Sequence, residues 1–204
     1  MIYKEIDGDL IKLAKTGMFD VIVHGCNCFC TMKRGLAPKM VKAFGVDEYS
    51  KEHKKYAGDI NKLGTIEYGG YILECSPFIE GIFPNNIISS DTIDEIINIP
   101  NNISDEIKYF TIVNAYTQYG YKGEKCIDYD ALTLCLRKIN KIFEGKHIGL
   151  PRIGCGLAGG QWDIMDLPTE LEKRKFENLH LKDVKTIIKD ELKNCNVTIV
   201  NYKS

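Results

Sequence analysis

Short runs rich in β-branched residues alternate with segments of helical periodicity along this chain, and this alternation constrains the fold more than any other feature. Compact or alternating apolar runs predict strands at 2–6, 20–24, 109–115, 147–151 and 197–202. Apolar residues at helical spacing predict helices at 9–15, 35–44, 128–143 and one or two within 163–193. Strands that alternate with helices predict a mostly parallel sheet covered by helices on both faces.

The middle of the chain carries weaker signals. Residues 47–62 are charged, and we predict an exposed helix there. Residues 64–75 contain two β-rich runs split by Gly69 and Gly70, which predicts a hairpin. Residues 76–108 are rich in Ile, Asn, Asp and Ser without a sustained period, so we interpret them as a loop-rich excursion.

The chain is predicted to form one domain spanning 1–204. Its 204 residues are enough for one domain with a sizeable hydrophobic core, and the chain is rather short for two domains. No linker stands out, and the excursion, with one short helix predicted at 92–98, is the only place where a domain boundary could lie.

Charge and hydropathy exclude several classes of function. The net charge is -1, whereas nucleic-acid binders usually carry a basic excess, so any nucleotide that binds is expected to be small. No apolar run approaches the 18 or so residues of a membrane span, and the first residues lack the apolar core of a signal peptide. We therefore expect a cytoplasmic protein whose eight cysteines are thiols.

Two segments follow predicted strands at the edge where open α/β sheets bind ligands. The first, 21–28, leaves its strand and reaches a helix after Gly35; the second, 150–160, leaves a later strand. The second contains four glycines between Gly154 and Gly160, and glycine lets backbone N–H groups approach an anion without obstruction by a Cβ atom. This composition favours a phosphate cradle, although a simple turn would have the same composition.

Three motifs together resemble those of macrodomains. They are Gly8-Asp9-Leu10, the segment from Val23 to Cys28, and the segment from Pro151 to Trp162. Their order and spacing are most similar to the branch that contains ADP-ribose-1″-phosphate phosphatases and DarG-type ADP-ribosyl hydrolases. The resemblance covers most of the chain apart from about 76–108 and 163–185. It implies a three-layer α/β/α sandwich with a mixed, mostly parallel sheet, and ADP-ribose or a derivative as the ligand.

The resemblance also implies roles for individual residues. Asp9, with Leu10, would contact the adenine, and Asn27 would bind the distal ribose. Phosphate would be held by the first loop and the side chains before it, and by the second loop. The first set is Lys33, Arg34, Gly35, Leu36 and Ala37, and the second is Gly154, Cys155, Gly156, Leu157, Ala158, Gly159 and Gly160.

Each of these roles has a structural alternative. Asp9 would also serve as a helix N-cap, and Asn27 as a turn residue. The first loop keeps one glycine of the family's usual run, so Lys33 and Arg34 would act as side-chain phosphate ligands, or else as solvated surface charges.

His24 is the catalytic candidate. It matches the histidine of the 1″-phosphatase branch, and imidazole exchanges a proton near neutral pH. Asp128 and Asp130 are either its acid partners or caps of the helix that they precede. The aspartate of the DarG-type hydrolases is replaced by Ala158, and no lysine stands at the matching strand end near 116–118, which argues against the lysine mechanism of that group.

The remaining cysteines and aromatic residues carry weaker hypotheses. Cys26, Cys28 and Cys30 alternate without a Cys-x-x-Cys pair, so we interpret them as small core residues and predict no metal site. Several aromatic side chains are candidates for stacking on the ligand. They are Tyr116, Tyr119, Tyr121, Tyr202 and Trp162.

Three hypotheses about function remain open from the sequence. The first is metal-independent hydrolysis at C1″, with removal of a 1″-phosphate as the leading reaction. The second is removal of ADP-ribose from a modified macromolecule, the only setting in which a nucleic acid would be a partner. The third is a non-catalytic reader or sponge of ADP-ribose or of a signalling nucleotide built on it. No cofactor and no membrane partner is expected, and the chain is expected to be a monomer.

Overall fold

A mixed sheet runs through the computed structural model, which describes residues 2–46, 56–75, 86–89, 92, 107–123, 126–179 and 182–202. In that part of the chain the sheet has seven strands in the order β1-β7-β6-β2-β5-β3-β4. The strands are β1 (Tyr3–Asp7), β2 (Val21–Asn27), β3 (Ile66–Cys75), β4 (Ile87–Ile88), β5 (Ile107–Gln118), β6 (His147–Leu150) and β7 (Asn196–Asn201). The five from β1 to β5 in this order are parallel, and β3 is antiparallel to both neighbours. The mixed, mostly parallel sheet is therefore confirmed.

The helices cover both faces of this sheet. Those that lie within the described residues are α1 (Leu10–Lys15), α2 (Ala37–Phe44), α3 (Tyr129–Ile142), α4 (Glu170–Asn178) and α5 (Val184–Glu191). The helices predicted at 9–15, 35–44 and 128–143 are confirmed within two residues at each end, and the charged segment 163–193 contains two helices. No helix of the described residues has the length and apolarity needed to cross a membrane.

The central strand β2 shows why both faces must be covered. Successive side chains of a strand point to opposite faces, and all of Val21, Ile22 and Val23 are buried. Val21 and Val23 belong to the core formed with α3 and α5, whereas Ile22 belongs to the core formed with α1 and α2. A strand whose first half is apolar on both faces therefore requires helices on both sides, as in the predicted three-layer sandwich.

The predicted hairpin at Gly69 and Gly70 is wrong. These residues lie inside the continuous strand β3, where they pair with Ile112 and Thr111 of β5. Neither glycine has a positive φ, so the backbone does not turn there. Pairing along the length of β5 outweighs the local preference of two glycines for a turn.

Two further predictions fall partly outside the described residues. Of the helix predicted at 47–62, residues 47–55 lie outside them, and the remainder forms a turn and a short 3₁₀-helix at Ile60–Lys62 instead of an α-helix. Of the excursion at 76–108, the described residues include strand β4 and the start of β5. Only Thr92 of the helix predicted at 92–98 is described.

Candidate functional site

A large cavity of about 780 Å³ opens at the carboxyl ends of β2, β5 and β6. A small pocket of about 180 Å³ adjoins it, and the two share Gly35, Leu36 and Pro151 in their walls. This is the edge where parallel α/β sheets bind ligands, because loops from several strands meet there. Cavities of about 300–1,000 Å³ are typical of small-molecule sites.

The first wall of the large cavity is shaped by Asn27 at the end of β2. Its Oδ1 accepts hydrogen bonds from the N–H of Phe29 at 3.1 Å and the N–H of Thr31 at 3.5 Å, and its Nδ2 donates to the Thr31 hydroxyl at 3.0 Å. Asn27 therefore acts as a turn residue, and it also lines the cavity. The two roles that the sequence left open for Asn27 are compatible.

The amino terminus of α2 faces the same cavity. Gly35 has a φ of 63°, a conformation that favours glycine, and Leu36 supplies no side-chain cap to the helix. Within the described part of the chain, the N–H groups of Gly35, Leu36 and Ala37 donate no hydrogen bond. Unpaired N–H groups at a helix start carry partial positive charge and attract anions.

The glycine-rich loop after β6 forms the opposite wall. Gly154 and Gly159 have φ values of 74° and 71°, and the N–H of Gly160 donates to the carbonyl of Gly154 at 2.9 Å, which closes the loop. A Cβ atom on Gly154 would collide with Ile127, so this position requires glycine for space as well.

The N–H groups of this loop face the same cavity as the amino terminus of α2. Among the described residues, those of Gly156, Leu157 and Ala158 have no acceptor. A Cβ atom on Gly35 would lie 3.8 Å from the side chain of Leu157, so the two loops approach each other across the cavity. Two sets of unpaired N–H groups on facing loops are suited to an extended anion such as a diphosphate.

Most of the predicted ligand-binding residues line one of the two spaces, and three do not. Asp9 and Leu10 line the small pocket. Those that line the large cavity are Asn27, Lys33, Arg34, Gly35, Leu36, Ala37, Gly154, Gly156, Leu157 and Ala158. Cys155, Gly159 and Gly160 line neither; they belong to the part of the loop that packs inward or closes it.

The large cavity carries an excess of positive charge. Lys33 and Arg34 line it as exposed side chains, and neither forms an ion pair with any described residue. Arg152 also lines it, 5.0 Å from the ring centre of Trp162 and 3.4 Å from the carboxylate of Glu5. None of the described residues that line this cavity is acidic. Sequence reasoning missed Arg152, although it lies inside the motif that begins at Pro151.

The small pocket combines one carboxylate with an aromatic ring. Asp9 caps α1, since its Oδ1 accepts from the N–H of Ile11 at 2.9 Å and of Lys12 at 3.2 Å. The ring of Tyr202 is exposed, and the ammonium of Lys39 lies 4.2 Å from its centre. The capping role of Asp9 is thus realised while the residue still borders the pocket.

His24 contributes to the wall of the large cavity and is fully buried. Its Nε2–H donates to Oδ1 of Asn114 at 2.6 Å, and the amide of Asn114 in turn donates to the carbonyl of Val46 at 3.3 Å. Burial lowers the pKa of His24 from its ordinary 6.5 to about 4, more than its hydrogen bonds to Asn114 and Gly25 raise it. The imidazole is therefore neutral at pH 7.

The polar groups around His24 include no carboxylate partner from the helix start. Asp128 caps α3 by accepting from the N–H of Ala131 at 2.8 Å, and neither Asp128 nor Asp130 lines the cavity.

The lining of the cavity also includes Thr117, whose buried hydroxyl has no hydrogen-bond partner among the described residues. A Cβ atom on Gly25 would lie 3.0 Å from that hydroxyl, so glycine at this position of β2 leaves room for the side chain of Thr117 on β5.

The three alternating cysteines are buried, as the sequence predicted. Cys26 lines the cavity, and burial raises the pKa of its thiol, while burial raises the pKa of Cys28 to about 11. Cys30 lies 3.4 Å from the ammonium of Lys62 and 3.7 Å from the hydroxyl of Tyr116. Within the described residues, no three His, Cys, Asp or Glu side chains converge as a metal site would require.

The aromatic candidates separate into residues that line one of the two spaces and residues with a structural role. Tyr121 lines the large cavity and Tyr202 the small pocket. Tyr116 is fully buried, and Trp162 is buried beneath Arg152. The hydroxyl of Tyr119 donates to the carbonyl of Gly58 at 2.9 Å, so this residue braces the rim.

The fold is shared with solved macrodomains. A macrodomain protein from Streptomyces coelicolor is 16% identical, with a TM-score of 0.51 and 99% of each chain covered. The complex of Thermosipho africanus DarTG with ADP-ribose is 14% identical, with a TM-score of 0.55; the match covers 99% of this chain and 41% of that one. No protein-family model matches the sequence. Together with the sheet order, these similarities show that the protein has the macrodomain fold.

A curated relative places the chain more narrowly. This chain is 30% identical over 186 residues to the uncharacterised 17.5 kDa protein of the tk–vs intergenic region of Enterobacteria phage T4. The match covers 87% of this chain and 94% of the phage protein. The chain belongs to the family of that phage protein.

Proposed function

We propose that the protein binds ADP-ribose or a close derivative across the two adjoining spaces. The observation that carries this proposal is the pair of facing loops whose backbone N–H groups have no partner within the described residues. The positive charge from Lys33, Arg34 and Arg152, without an acidic residue in the described lining, suits a diphosphate. The presence of ADP-ribose in the T. africanus DarTG structure adds support.

The adenosine would occupy the small pocket. Asp9 uses one carboxylate oxygen to cap α1, and the second oxygen can accept a hydrogen bond from the adenine amino group. The exposed ring of Tyr202 offers a stacking surface beside it. The diphosphate would then cross Gly35 and Leu36, which both spaces share, and the distal ribose would reach Asn27.

Calorimetric titration with ADP-ribose and with AMP tests this proposal. We expect saturable binding of ADP-ribose, and AMP at least about tenfold weaker, a difference of about 1.4 kcal/mol, because AMP lacks the second phosphate and the distal ribose. ADP-ribose should also raise the melting temperature, and the rise should grow with the logarithm of the ligand concentration above the Kd, because the ligand binds only the native state. If millimolar ADP-ribose neither releases heat nor shifts the melting temperature, the proposal is wrong.

A second proposal is hydrolysis at C1″, with ADP-ribose-1″-phosphate as the leading substrate. It is favoured by the position of His24 in the cavity wall, three residues before Asn27. Because burial keeps His24 neutral at pH 7, the imidazole would enter the reaction as a proton acceptor. The loop N–H groups would stabilise the charge that develops on the phosphate.

Two assays separate the phosphatase, the ADP-ribosyl hydrolase and the non-catalytic reader. One measures phosphate release from ADP-ribose-1″-phosphate, and the other measures ADP-ribose release from a mono-ADP-ribosylated protein. We expect His24→Ala to slow phosphate release about a hundredfold while ADP-ribose affinity stays within about tenfold. If the enzyme releases ADP-ribose from the modified protein but no phosphate from ADP-ribose-1″-phosphate, it is a mono-ADP-ribosyl hydrolase. A wild-type protein that binds ADP-ribose without turnover on either substrate is a reader or sponge.

A further inference from the structure

The large cavity has more room than the proposed diphosphate and distal ribose require. Those two groups together contain about as many non-hydrogen atoms as the adenosine that the small pocket would hold. The large cavity, at about 780 Å³, has more than four times the volume of the small pocket, at about 180 Å³. Space therefore remains beyond the distal ribose for a further chemical group.

The wall on that side is formed by the end of β5 and the loop after it. Gln118, Tyr121, Gly123 and Cys126 line the large cavity, and none of them lines the small pocket. This wall therefore lies away from the adenosine end of the site. Asn27, the proposed distal-ribose ligand, pairs with Gln118 in the sheet, so a group attached at C1″ would lie next to this wall.

Tyr121 presents a braced aromatic ring there. Its ring packs edge-on against Phe29, with centres 5.6 Å apart and planes at 79°. Phe29 is held in turn by the ring of Tyr119, at 5.4 Å and 67°. The side chain of Gln118 donates to the carbonyl of Gly120 at 2.8 Å and so supports the loop. Tyr121 remains 37% exposed, which leaves ring surface available to a ligand.

We propose that the preferred ligand is an ADP-ribose derivative with a nearly planar, conjugated ring at C1″ that stacks on Tyr121. This inference rests on the proposed ADP-ribose site. Offset or edge-on packing on a ring held by its neighbours costs little conformational entropy, since Phe29 already restricts Tyr121. The group is uncharged or anionic, because Lys33 and Arg34 face the same cavity without acidic partners among the described residues.

Paired titrations of the full chain with ADP-ribose and with NADH test this inference. NADH carries an uncharged, nearly planar dihydronicotinamide at C1″ and otherwise matches ADP-ribose. We expect NADH to bind about tenfold more tightly, in the range that stacking of one base on an aromatic side chain provides. Tyr121→Phe should keep this ratio, and Tyr121→Leu should bring the two affinities together.

Tyr202→Leu is the matched control, because Tyr202 lines the small pocket that both ligands would share. It should weaken ADP-ribose and NADH by the same factor and leave their ratio unchanged. Equal affinities in the wild-type protein would overturn the inference without any variant, and so would a ratio that survives Tyr121→Leu. Failure of the protein to bind ADP-ribose at all would instead remove the proposed function on which the inference rests.

Discussion

Two glycines of the loop after β6 have different physical roles. Gly154 has a positive φ and no room for a Cβ atom beside Ile127, so it is needed to build the loop. Gly156 has an ordinary φ, and a Cβ atom there would meet nothing within 4 Å. Glycine at Gly156 therefore keeps the cavity open and is not required by the fold.

Replacement of Gly156 separates ligand binding from folding. We expect Gly156→Glu to fold with a nearly unchanged melting temperature and to bind ADP-ribose at least about a hundredfold more weakly, a loss of about 2.7 kcal/mol. The new carboxylate would stand where phosphate binds, and like charges repel. Gly156→Gln has the same size without the charge and should bind with intermediate affinity. Wild-type affinity in folded Gly156→Glu would place the phosphate site elsewhere.

The burial of His24 should appear in the pH dependence of stability. Its pKa is lowered from 6.5 to about 4, so between these values the unfolded chain binds a proton that the folded protein does not. Above about pH 6.5 the burial of His24 therefore costs the protein no stability through protonation. As the pH falls towards 4, protonation of the unfolded chain lowers the free energy of unfolding. At pH 5 the loss should be about 2 kcal/mol of unfolding free energy relative to pH 7.

Urea unfolding of the wild-type protein and of His24→Gln at pH 7 and pH 5 measures this contribution. The carboxylates titrate in both proteins, so the difference between their pH responses isolates the imidazole. The wild-type protein should lose more stability than His24→Gln over this interval. Equal losses would mean that His24 is protonated in the folded protein at pH 5.

At the level of secondary structure, aspartates in the sequence predicted where helices begin. Asp9 and Asp128 are the N-caps of α1 and α3; the side chain of Asp9 accepts from two N–H groups of the first turn and that of Asp128 from one. Both residues had a competing functional interpretation. For Asp128 the structure supports the cap, because its side chain bonds to the helix and does not line the cavity.

Asp128→Ala tests this assignment. Loss of the cap should lower the free energy of unfolding by about 1 kcal/mol, and Asp128→Asn should retain most of it, since asparagine is an equally good N-cap. ADP-ribose affinity should be unchanged in both variants. A fall in affinity with Asp128→Ala and not with Asp128→Asn would show that the cap holds the cavity wall in place.

At the scale of the whole molecule, two helical layers share one sheet. Met40 of α2 and Leu136 of α3 are fully buried in the cores on opposite faces. Trp162, the single tryptophan, packs in the core with α3. Its fluorescence therefore reports on one face of the sheet, whereas far-UV circular dichroism reports on both.

Truncation on one face should destabilise the other face equally if the layers unfold together. We expect Met40→Ala and Leu136→Ala each to cost about 2–5 kcal/mol, through lost burial and the cavity that remains. The Trp162 and circular dichroism transitions in urea should coincide in each variant. A Trp162 transition that Met40→Ala leaves unmoved would show that the two layers unfold separately.

The order of elements was predictable from the sequence because it depends on local patterns. Periodicity and caps identified α1, α2 and α3 and the central strands, and the glycine-rich loop marked the edge of the sheet where the large cavity opens. The failure at Gly69 and Gly70 has a physical reason. A pair of glycines permits either a turn or an extended strand, and pairing with β5 selects the strand.

The candidate site divides in the same way. Local patterns were enough to identify the two loops that face each other across the large cavity and the cap that borders the small pocket, because glycine, Asn27 and Asp9 act through local backbone geometry. The groups that face these loops follow from the three-dimensional packing: Arg152 and Thr117 in the wall, His24 made neutral by burial, and Tyr121 braced by Phe29. These properties depend on neighbours that are distant in sequence, and desolvation and ring contacts exist only once the sheet has brought those neighbours together.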